Sequence, residues 1–364
     1  MASLLAQGRL GDPEMSLATE PRTHPKLLET LKRYGIHTPA FPPPEITPDA
    51  SFQVLRSYVI ENEDLIENVI NRMDYSIPHE ASATPITRSE EFILGPDGNQ
   101  IKLIIYRPSE SLGTPLPAVV HFHSGGMVIL STENVMHSTW VKTLAKTGLV
   151  AIAVDFRNAM SRTAHNPFPA GLNDCAAAVR WVDEHRKRLN ISKIVLEGES
   201  GGANLALATA IQANRENWIG AINGVYAIVP YISGAYDLPL DWKLRELPSL
   251  VECDGYSVSC ATSAVYVKMY DPSGENAKNP LAWPYWAAKE ELVGLPPHFI
   301  VTCELDPLRD EGNAYYRKLL SAGVTTTGKM NLGVNHEAEL FFPQVLPDLF
   351  QATLWEFKKF VDRV

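Results

Sequence analysis

The sequence predicts an α/β protein with a mostly parallel central sheet flanked by helices and with a helical segment at its amino terminus. From about residue 90, short apolar runs alternate with longer amphipathic stretches, which is typical of buried parallel strands connected by helices. The single G-x-S-x-G sequence lies between an apolar run and a helical pattern. Residues 1–85 instead combine helical periodicity with a proline-rich stretch.

The amino-terminal part is predicted to contain two helices. "HPKLLETLKRYG" has amphipathic spacing and ends at Gly35, and residues 51–73 place apolar side chains at helical intervals. Between them, residues 37–49 are rich in proline, which lacks an amide hydrogen and interrupts regular structure. We expect residues 1–85 to form a helical cap and a linker ("PHEASATP", 78–85), followed by a main domain of residues 86–364.

Eight apolar runs in the main domain are predicted strands. In chain order they are "EEFILG", "QIKLIIYRP", "PAVVHFH", "LVAIAVDF", "KIVLEG", "NGVYAIVPY", "PHFIVTCE" and "TTTGKMNL". The first two flank "PDGN" and resemble a hairpin, and helical patterns cover residues 170–189 and 206–216. Residues 232–290 break the alternation, and we expect this aromatic excursion to contribute to the cap or to a pocket.

Composition and charge exclude several classes of function. The formal net charge is −10 and no basic cluster occurs, which argues against nucleic acid as a partner. No apolar run approaches the ~18 residues of a membrane span, and the first residues lack a secretory signal, so a cytoplasmic protein is expected. The four cysteines have no metal-binding spacing and are predicted to be buried free thiols. Whether the chain forms a homo-oligomer is left open.

The segment "KIVLEGESGGANLALATA" contains the most informative motif. It places Ser200 between a predicted strand and a predicted helix, with Gly198 and Gly202 two residues away on either side. Such a tight turn exposes a serine hydroxyl at the carboxyl end of a strand, and the flanking glycines allow close packing. The alternative is a structural glycine-rich turn. The context predicts that Ser200 is a nucleophile.

A serine nucleophile needs a base and an orienting acid. In enzymes with this serine turn, the chain order is nucleophile, acid, histidine, and only His298 and His336 follow Ser200. His336 lies in a loop after the last predicted strand, whereas His298 begins a strand, so His336 is the predicted base. Asp306 leaves the preceding strand and is the predicted acid, ahead of Glu304 and Asp310.

The segment "HFHSGGM" (121–127) is predicted to form an oxyanion loop. Gly125 and Gly126 can turn their amides inward without a Cβ, and Gly201, which follows the nucleophile, supplies a further N–H donor. His123 and Ser124 would support this loop, and we expect the Ser124 hydroxyl to be dispensable for the chemistry. A rival hypothesis makes Ser124 a nucleophile activated by one of the neighbouring histidines.

The motifs "HSGGM", "GESGGANLA" and "DPLRDEG" together resemble the hormone-sensitive-lipase-like carboxylesterases. The resemblance covers nearly the whole chain and implies an α/β-hydrolase fold with an amino-terminal helical cap. It carries over the same roles by motif position: nucleophile Ser200, acid Asp306, base His336 and oxyanion donors Gly125, Gly126 and Gly201. Two residues depart from the family pattern. Ser124 replaces the first glycine of H-G-G-G, and Glu337 follows the base where the family often has glycine.

These features favour a serine carboxylic-ester hydrolase that acts through an acyl-enzyme on Ser200. The expected substrate is a small to medium hydrophobic ester or lactone, with a macrolactone included, and no metal or organic cofactor is required. One alternative is an acyltransferase or a non-hydrolytic enzyme of secondary metabolism that uses the same pocket. Another is a small-molecule receptor, against which the complete set of catalytic residues argues.

Overall fold

The computed structural model describes residues 7–39, 41–77, 84–110 and 113–364. One eight-stranded sheet forms the centre of this part of the chain, and helices pack on both of its faces. The predicted α/β fold with a mostly parallel sheet is therefore confirmed. Of the predicted linker 78–85, residues 78–83 lie outside the described residues.

The sheet has the strand order β1-β2-β4-β3-β5-β6-β7-β8. Its strands are β1 (Ile86–Leu94), β2 (Gln100–Pro108), β3 (Leu116–Phe122), β4 (Val150–Asp155), β5 (Ile191–Glu199), β6 (Gly224–Ile228), β7 (His298–Cys303) and β8 (Thr326–Asn331). β2 pairs antiparallel with β1 and β4, and every other neighbouring pair is parallel. All eight predicted strands are present. β1 begins earlier than predicted because residues 87–89 are polar and exposed, and Ile86 alone does not make a strand pattern.

The helices fill the intervals between the strands. They are α1 (Pro25–Tyr34), α2 (Phe52–Arg72), α3 (Val135–Lys146), α4 (Ala170–Glu184), α5 (Arg186–Leu189), α6 (Gly201–Arg215), α7 (Leu240–Glu246), α8 (Ser249–Glu252), α9 (Cys260–Tyr270), α10 (Lys289–Leu292), α11 (Arg309–Ser321), α12 (Ala338–Phe341) and α13 (Pro347–Arg363). Two predictions need correction. The helix predicted over 170–189 is divided at His185, and α6 begins at Gly201 rather than at residue 206, because its first turn is built from small residues without an amphipathic pattern.

The two amino-terminal helices are confirmed. α1 ends at Gly35, whose left-handed conformation (φ 72°) suits a residue without a Cβ. α2 begins after Ser51, whose hydroxyl accepts a hydrogen bond from the Val54 amide at 3.4 Å, a cap that contributes about 1 kcal/mol. The buried stripe of α2 joins the main core through Leu55 and Val59. The division into a cap of residues 1–85 and a main domain stays a prediction.

Helix α2 contacts both the loop that follows β3 and the excursion over 232–290. The Glu63 carboxylate accepts a hydrogen bond from the Leu130 amide at 2.8 Å. One residue earlier, the Asn62 side chain donates to the Tyr266 hydroxyl at 2.7 Å. The helix thereby connects the segment after β3 to α9.

The aromatic residues of the excursion divide between different surroundings. The set that sequence analysis singles out is Tyr236, Trp242, Tyr256, Tyr266, Trp283 and Tyr285. Tyr256 packs in the core on the other face of the sheet and donates a hydrogen bond to Glu20 at 3.2 Å. Tyr266 instead lies against the loop after β3, where a Cβ on Gly126 would be 2.9 Å from its ring. Tyr266 therefore touches the predicted oxyanion loop.

An ion-pair network fastens the amino-terminal segment to the loops after β7 and β8. Glu252 accepts from Arg22 at 2.8 Å through one oxygen and from Arg309 at 2.7 Å through the other. The His24 amide donates to the Gly333 carbonyl at 2.8 Å. The segment around residues 20–24 thus supports the two loops that carry the predicted acid and base.

Two further expectations concern the state of the cysteines and the presence of a membrane-spanning helix. Cys175, Cys253, Cys260 and Cys303 are buried free thiols, as predicted. Within the described ranges, no helix combines the length and apolarity needed to cross a lipid bilayer.

Candidate active site

The parallel strands bring the candidate residues to one edge of the sheet. β3, β5, β6, β7 and β8 all run in the same direction, so the loops that leave their carboxyl ends emerge together. The oxyanion loop follows β3, Ser200 follows β5, Asp306 follows β7 and His336 follows β8. Ligand sites of α/β sheets lie at this edge.

Ser200 occupies a strained turn between β5 and α6. Its backbone has φ 51° and ψ −112°, values that a residue with a side chain rarely adopts. A Cβ on Gly198 would lie 2.7 Å, and one on Gly202 1.8 Å, from the carbonyl oxygen of Phe122. Because both distances are shorter than any real contact, the turn requires glycine at both positions. The geometry is that of a nucleophile elbow.

The backbone, rather than a side-chain partner, fixes Ser200. Its amide donates to the Ile228 carbonyl at 2.9 Å, and its carbonyl accepts from the Tyr231 amide at 3.1 Å. In the described part of the chain the Ser200 hydroxyl makes no hydrogen bond to His336. Hydrogen bonds between a nucleophile and its base are often formed only when the substrate binds.

The predicted acid and base are joined directly. Asp306 Oδ2 lies 2.8 Å from His336 Nδ1, and Asp306 Oδ1 accepts a hydrogen bond from the Leu308 amide at 2.9 Å. Asp306 is fully buried. A carboxylate at Nδ1 requires that this nitrogen carry the imidazole hydrogen, which leaves Nε2 free to accept a proton.

The pKa of His336 reflects two opposed effects. Burial lowers this pKa, but the charge and the hydrogen bond of Asp306 raise it, with smaller contributions from Glu337 and Glu339, and the net pKa lies above the usual 6.5. A base is active in its neutral form. We therefore expect activity to be lost as the pH falls through this raised pKa.

Replacing Asp306 with asparagine should reduce kcat by about 10⁴-fold, because an amide at this position favours the wrong histidine tautomer. The change keeps the shape of the side chain, so the thermal unfolding temperature should move little compared with kcat. Steady-state kinetics of the hydrolysis of a p-nitrophenyl ester measures the effect. A loss below tenfold would show that Asp306 is not the orienting acid.

The other candidates for acid and base have different partners. Glu304 accepts from the Gly333 amide at 2.8 Å, and Asp310 accepts from the Ser249 amide at 2.7 Å. His298 Nδ1 donates to the Pro296 carbonyl at 2.7 Å, and burial lowers the pKa of His298 to about 4. These contacts favour structural roles for all three residues.

The predicted oxyanion donors are neighbours in space. Gly125 and Gly126 have φ values of 106° and 62°, which glycine adopts without strain. A Cβ on Gly201 would lie 2.7 Å from the Gly126 nitrogen, so the backbone that follows Ser200 packs directly on the loop after β3. Two backbone segments rich in N–H groups thus meet beside Ser200, as stabilisation of an oxyanion requires.

Replacing Gly126 with proline should cost at least about 10²–10³-fold in kcat, the effect of one lost oxyanion donor. Proline also prefers φ near −65°, so a distortion of the loop adds to the loss. Gly126→Ala is the matched control, because it keeps the amide while its Cβ presses on Tyr266. If Gly126→Pro and Gly126→Ala lost activity equally, packing rather than the lost donor would be responsible.

His123 contacts the loop as a supporting residue would. Its Nδ1 lies 2.6 Å from the Ser124 carbonyl, and its ring stacks on Phe156 with 4.3 Å between ring centroids. Burial lowers the pKa of His123 to about 3. A neutral, fully packed imidazole positions the loop but is poorly placed to act as a base.

Sequence reasoning missed a buried cluster on β3 and β5, next to Ser200 along the chain. His121 faces Glu197 across the β3–β5 ladder, and His121 Nδ1 lies 2.8 Å from Glu197 Oε2, while the Trp140 indole donates to Glu197 Oε1 at 3.1 Å. With Glu199, His121 and Glu197 form a group whose ligand atoms lie close enough to hold a metal ion. Hydrogen bonds engage His121 Nδ1 and both Glu197 oxygens, whereas His121 Nε2 and both Glu199 oxygens are buried without a partner among the described residues. The adjacency depends on strand order, which the sequence does not specify.

Glu337 is another carboxyl group close to His336, the predicted base. It is buried in a left-handed backbone conformation (φ 54°), and its Oε1 lies 3.5 Å from His336 Nε2. Burial raises the pKa of Glu337 to about 7, against the opposing effects of His336 and the Ser124 hydroxyl. Burial together with Glu197 and Glu337 also raises the pKa of Glu199 well above its usual value. Several carboxyl groups near the base are thus biased toward the neutral form.

Comparisons with known proteins agree with this geometry. A family model for the α/β-hydrolase fold matches residues 119–340. Among solved structures, the chain is similar to brefeldin A esterase, described as a bacterial homologue of human hormone-sensitive lipase, with 43% identity, a TM-score of 0.94 and coverage of 98% of this chain and 97% of that one.

Curated relatives are named for ester hydrolysis. The carboxylesterase NlhH of Mycobacterium tuberculosis is 32% identical over 66% of this chain and 72% of its own length. The arylesterase of Saccharolobus solfataricus is 30% identical over 66% of this chain and 74% of its own length. The predicted resemblance to hormone-sensitive-lipase-like carboxylesterases is confirmed by these similarities.

Proposed function

The chain belongs to the α/β-hydrolase family, among the hormone-sensitive-lipase-like carboxylesterases, and on this premise we propose that it hydrolyses its ester through an acyl-enzyme on Ser200. The observation that carries the proposal is the strained turn at Ser200, which packs against the glycine-rich loop after β3 and lies at the same edge of the sheet as the Asp306–His336 pair. Each of these parts has a defined task in acyl transfer.

Acylation follows from the roles of these residues. Ser200 Oγ attacks the ester carbonyl carbon while its proton passes to His336 Nε2, and Asp306 stabilises the imidazolium at Nδ1. The negative charge that develops on the carbonyl oxygen is stabilised by the amides of Gly125, Gly126 and Gly201. Collapse of the tetrahedral intermediate breaks the bond to the alcohol, which leaves with the proton from His336.

Deacylation repeats the sequence with water as the nucleophile. His336 accepts a proton from water, which attacks the acyl carbon, and the proton then returns to Ser200 as the acid product departs. If the alcohol part is tethered to the acyl part, as in a lactone, the same steps open a ring. None of these steps needs a metal ion or an organic cofactor.

A small to medium hydrophobic ester or lactone is the substrate class that we propose. The Tyr266 ring packs against Gly126 of the oxyanion loop, and α2 contacts the same loop through Glu63, so an aromatic ring adjoins the proposed reacting centre. Apolar pockets with a few polar groups favour hydrophobic ligands of limited size. The name of the similar brefeldin A esterase adds brefeldin A to the candidate substrates.

Active-site labelling and a substrate panel test the proposal together. A fluorophosphonate should modify Ser200, as peptide mapping by mass spectrometry would show, and an adduct on Ser124 would overturn the assignment. p-Nitrophenyl esters of increasing acyl length and a set of macrolactones define the substrate. Preference for long acyl chains over short and medium ones would contradict the proposed size range, and the products formed with added alcohol separate hydrolysis from acyl transfer.

A further inference from the structure

Helix α2 holds the end of the predicted oxyanion loop through one carboxylate. Glu63 Oε1 accepts a hydrogen bond from the Leu130 amide at 2.8 Å, across 67 residues of sequence. Leu130 is buried, and it follows the predicted donors Gly125 and Gly126 in the same loop. A residue of the amino-terminal helices therefore fixes the backbone of the segment that carries these donors.

One peptide unit connects Glu63 to the predicted donors. The Ile129–Leu130 peptide donates its N–H to Glu63. The carbonyl oxygen of the same peptide lies so close to Gly125 that a Cβ there would overlap it. The Gly125 carbonyl in turn accepts hydrogen bonds from the Val128 and Ile129 amides at 3.0 and 3.1 Å. Because a peptide unit is planar, the hydrogen bond that directs its N–H also directs the carbonyl that packs on Gly125.

The backbone of Leu130 depends on contacts from outside the loop. Its φ is 71°, in the left-handed region, which is strained for a residue with a side chain. The Asn158 side chain donates to the Leu130 carbonyl at 2.7 Å, so both polar groups of this residue have partners in other segments. Such strain persists only where the surroundings impose it. Without Glu63, we expect the loop to relax from the conformation that aims the donors.

The Glu63 carboxylate is directed at this amide rather than at a cation. In the part of the chain that the structure describes, Glu63 is partly buried and forms no ion pair. The next residue, Asp64, pairs with Arg162, and both of those side chains are more than half exposed. A hydrogen bond to a charged acceptor is stronger than one between neutral groups. The neighbour therefore serves the surface, while Glu63 serves the loop.

We propose that Glu63 is a positioning residue for the oxyanion hole, which reaches its catalytic geometry only while α2 is docked through this contact. Glu63 acts through the Ile129–Leu130 peptide on Gly125 rather than on the substrate. Displacement of α2 withdraws an acceptor from the loop, so the amino-terminal helices affect the rate of the chemical step as well as the shape of the pocket. The inference rests on the proposed function, because it depends on an oxyanion that the loop amides stabilise.

Glu63→Ala should lower kcat about tenfold and leave KM within about twofold, since oxyanion donors act in the transition state rather than on bound substrate. The loss is smaller than the ~10²–10³-fold effect of a deleted donor, because the amides remain and only their direction changes. Asp64→Ala is the matched control, since it removes an exposed ion pair from the same helix and should cost less than about twofold. Equal losses in the two variants would overturn the proposal.

Two conservative variants separate the hydrogen bond from the charge. Glu63→Gln keeps an acceptor oxygen at the same reach and should stay within about threefold of the unmodified protein. Glu63→Asp keeps the charge but is one methylene shorter, so it should be impaired like Glu63→Ala. The opposite order, with the aspartate variant active and the glutamine variant impaired, would assign the effect to charge and contradict the proposal.

An activated ester and its thionoester analogue give a measurement that a purely structural role would not move. The thionoester places sulfur, a weak hydrogen-bond acceptor, where the ester develops its oxyanion, so it depends little on the loop amides. The ratio of kcat/KM for the ester to kcat/KM for the thionoester should fall about tenfold in Glu63→Ala and stay unchanged in Asp64→Ala. If both substrates lost the same factor in Glu63→Ala, Glu63 would only stabilise the fold.

Hydrogen exchange tests whether the effect arises at Leu130. The peptide that covers residues 125–130 should exchange faster in Glu63→Ala than in Asp64→Ala, as mass spectrometry measures. Unchanged exchange there would overturn the proposal. If Glu63→Ala does not fold, Glu63→Asp takes its place in both comparisons.

The two levels of the argument fail in different ways. Full turnover by Ser200→Ala would overturn the proposed function and this inference with it. An unchanged ester-to-thionoester ratio in Glu63→Ala, with Ser200→Ala inactive, would overturn the role of Glu63 alone.

Discussion

Ser200→Ala should reduce kcat on the order of 10⁶-fold for every ester that the protein hydrolyses, since it removes the proposed nucleophile. The fold should persist, because the elbow is held by the Ser200 backbone and by the glycines around it rather than by the hydroxyl. Steady-state kinetics and thermal unfolding measure the two effects separately, and the fluorophosphonate adduct should disappear.

The residual activity of this variant also has a predicted size. Oxyanion donors and substrate binding alone leave roughly 10³–10⁴-fold acceleration over water, so turnover should be very slow but measurable. Turnover close to that of the unmodified protein, with labelling moved to another residue, would rule out Ser200 as the nucleophile. Ser200→Cys is a useful companion, because it keeps a nucleophile of similar shape and should retain covalent labelling by a thiol-reactive ester analogue.

His336→Ala should reduce kcat by nearly as much, again on the order of 10⁶-fold, because Ser200 then has no group to accept its proton. The activity of the unmodified protein should rise with pH as His336 loses its proton. The activity of His336→Ala should show no such rise, so the loss should persist at high pH. His298→Ala is the matched control, since that histidine lies at the start of β7 with its own partner at Pro296. Equal losses of kcat in His336→Ala and His298→Ala would contradict the assignment of His336 as the base.

The nucleophile and the base should also be non-additive. If Ser200 and His336 act as one unit, Ser200→Ala combined with His336→Ala should be no slower than either single variant. Independent contributions would instead multiply, and the double variant would then fall well below either single one. The comparison requires a sensitive assay, for which an activated p-nitrophenyl ester with the background hydrolysis subtracted is suitable.

Several structural features were predictable because their signals are local. The strand and helix alternation follows from hydrophobic periodicity, and all eight strands were found from it. The elbow follows from Gly198, Ser200 and Gly202 in their strand–turn–helix setting, and the structure gives the backbone strain that this spacing implies. Errors occurred where the local signal is weak, at the exposed start of β1 and in the small-residue first turn of α6.

The chain order of the motifs also predicted which residues are the acid and the base. Asp306 and His336 were chosen by their places after two strands, and the 2.8 Å contact between them agrees with that choice. Their catalytic roles, like that of Ser200, stay predictions until the variants are measured. The oxyanion loop was predicted from Gly125 and Gly126. Both have positive φ, a conformation that favours glycine in any fold, so the signal is local.

Other features depend on the tertiary structure alone. The sequence shows Ser124 as a departure from a pattern, and it gives no sign that the Ser124 hydroxyl meets His137 of α3. His121 and Glu197 meet because β3 lies beside β5, and α2 reaches the oxyanion loop through Glu63. The sequence by itself therefore determined the fold class and the types of residue at the site. Only the packed structure decided which buried polar groups share hydrogens, because donor and acceptor roles depend on neighbours from distant segments and on the loss of water around them.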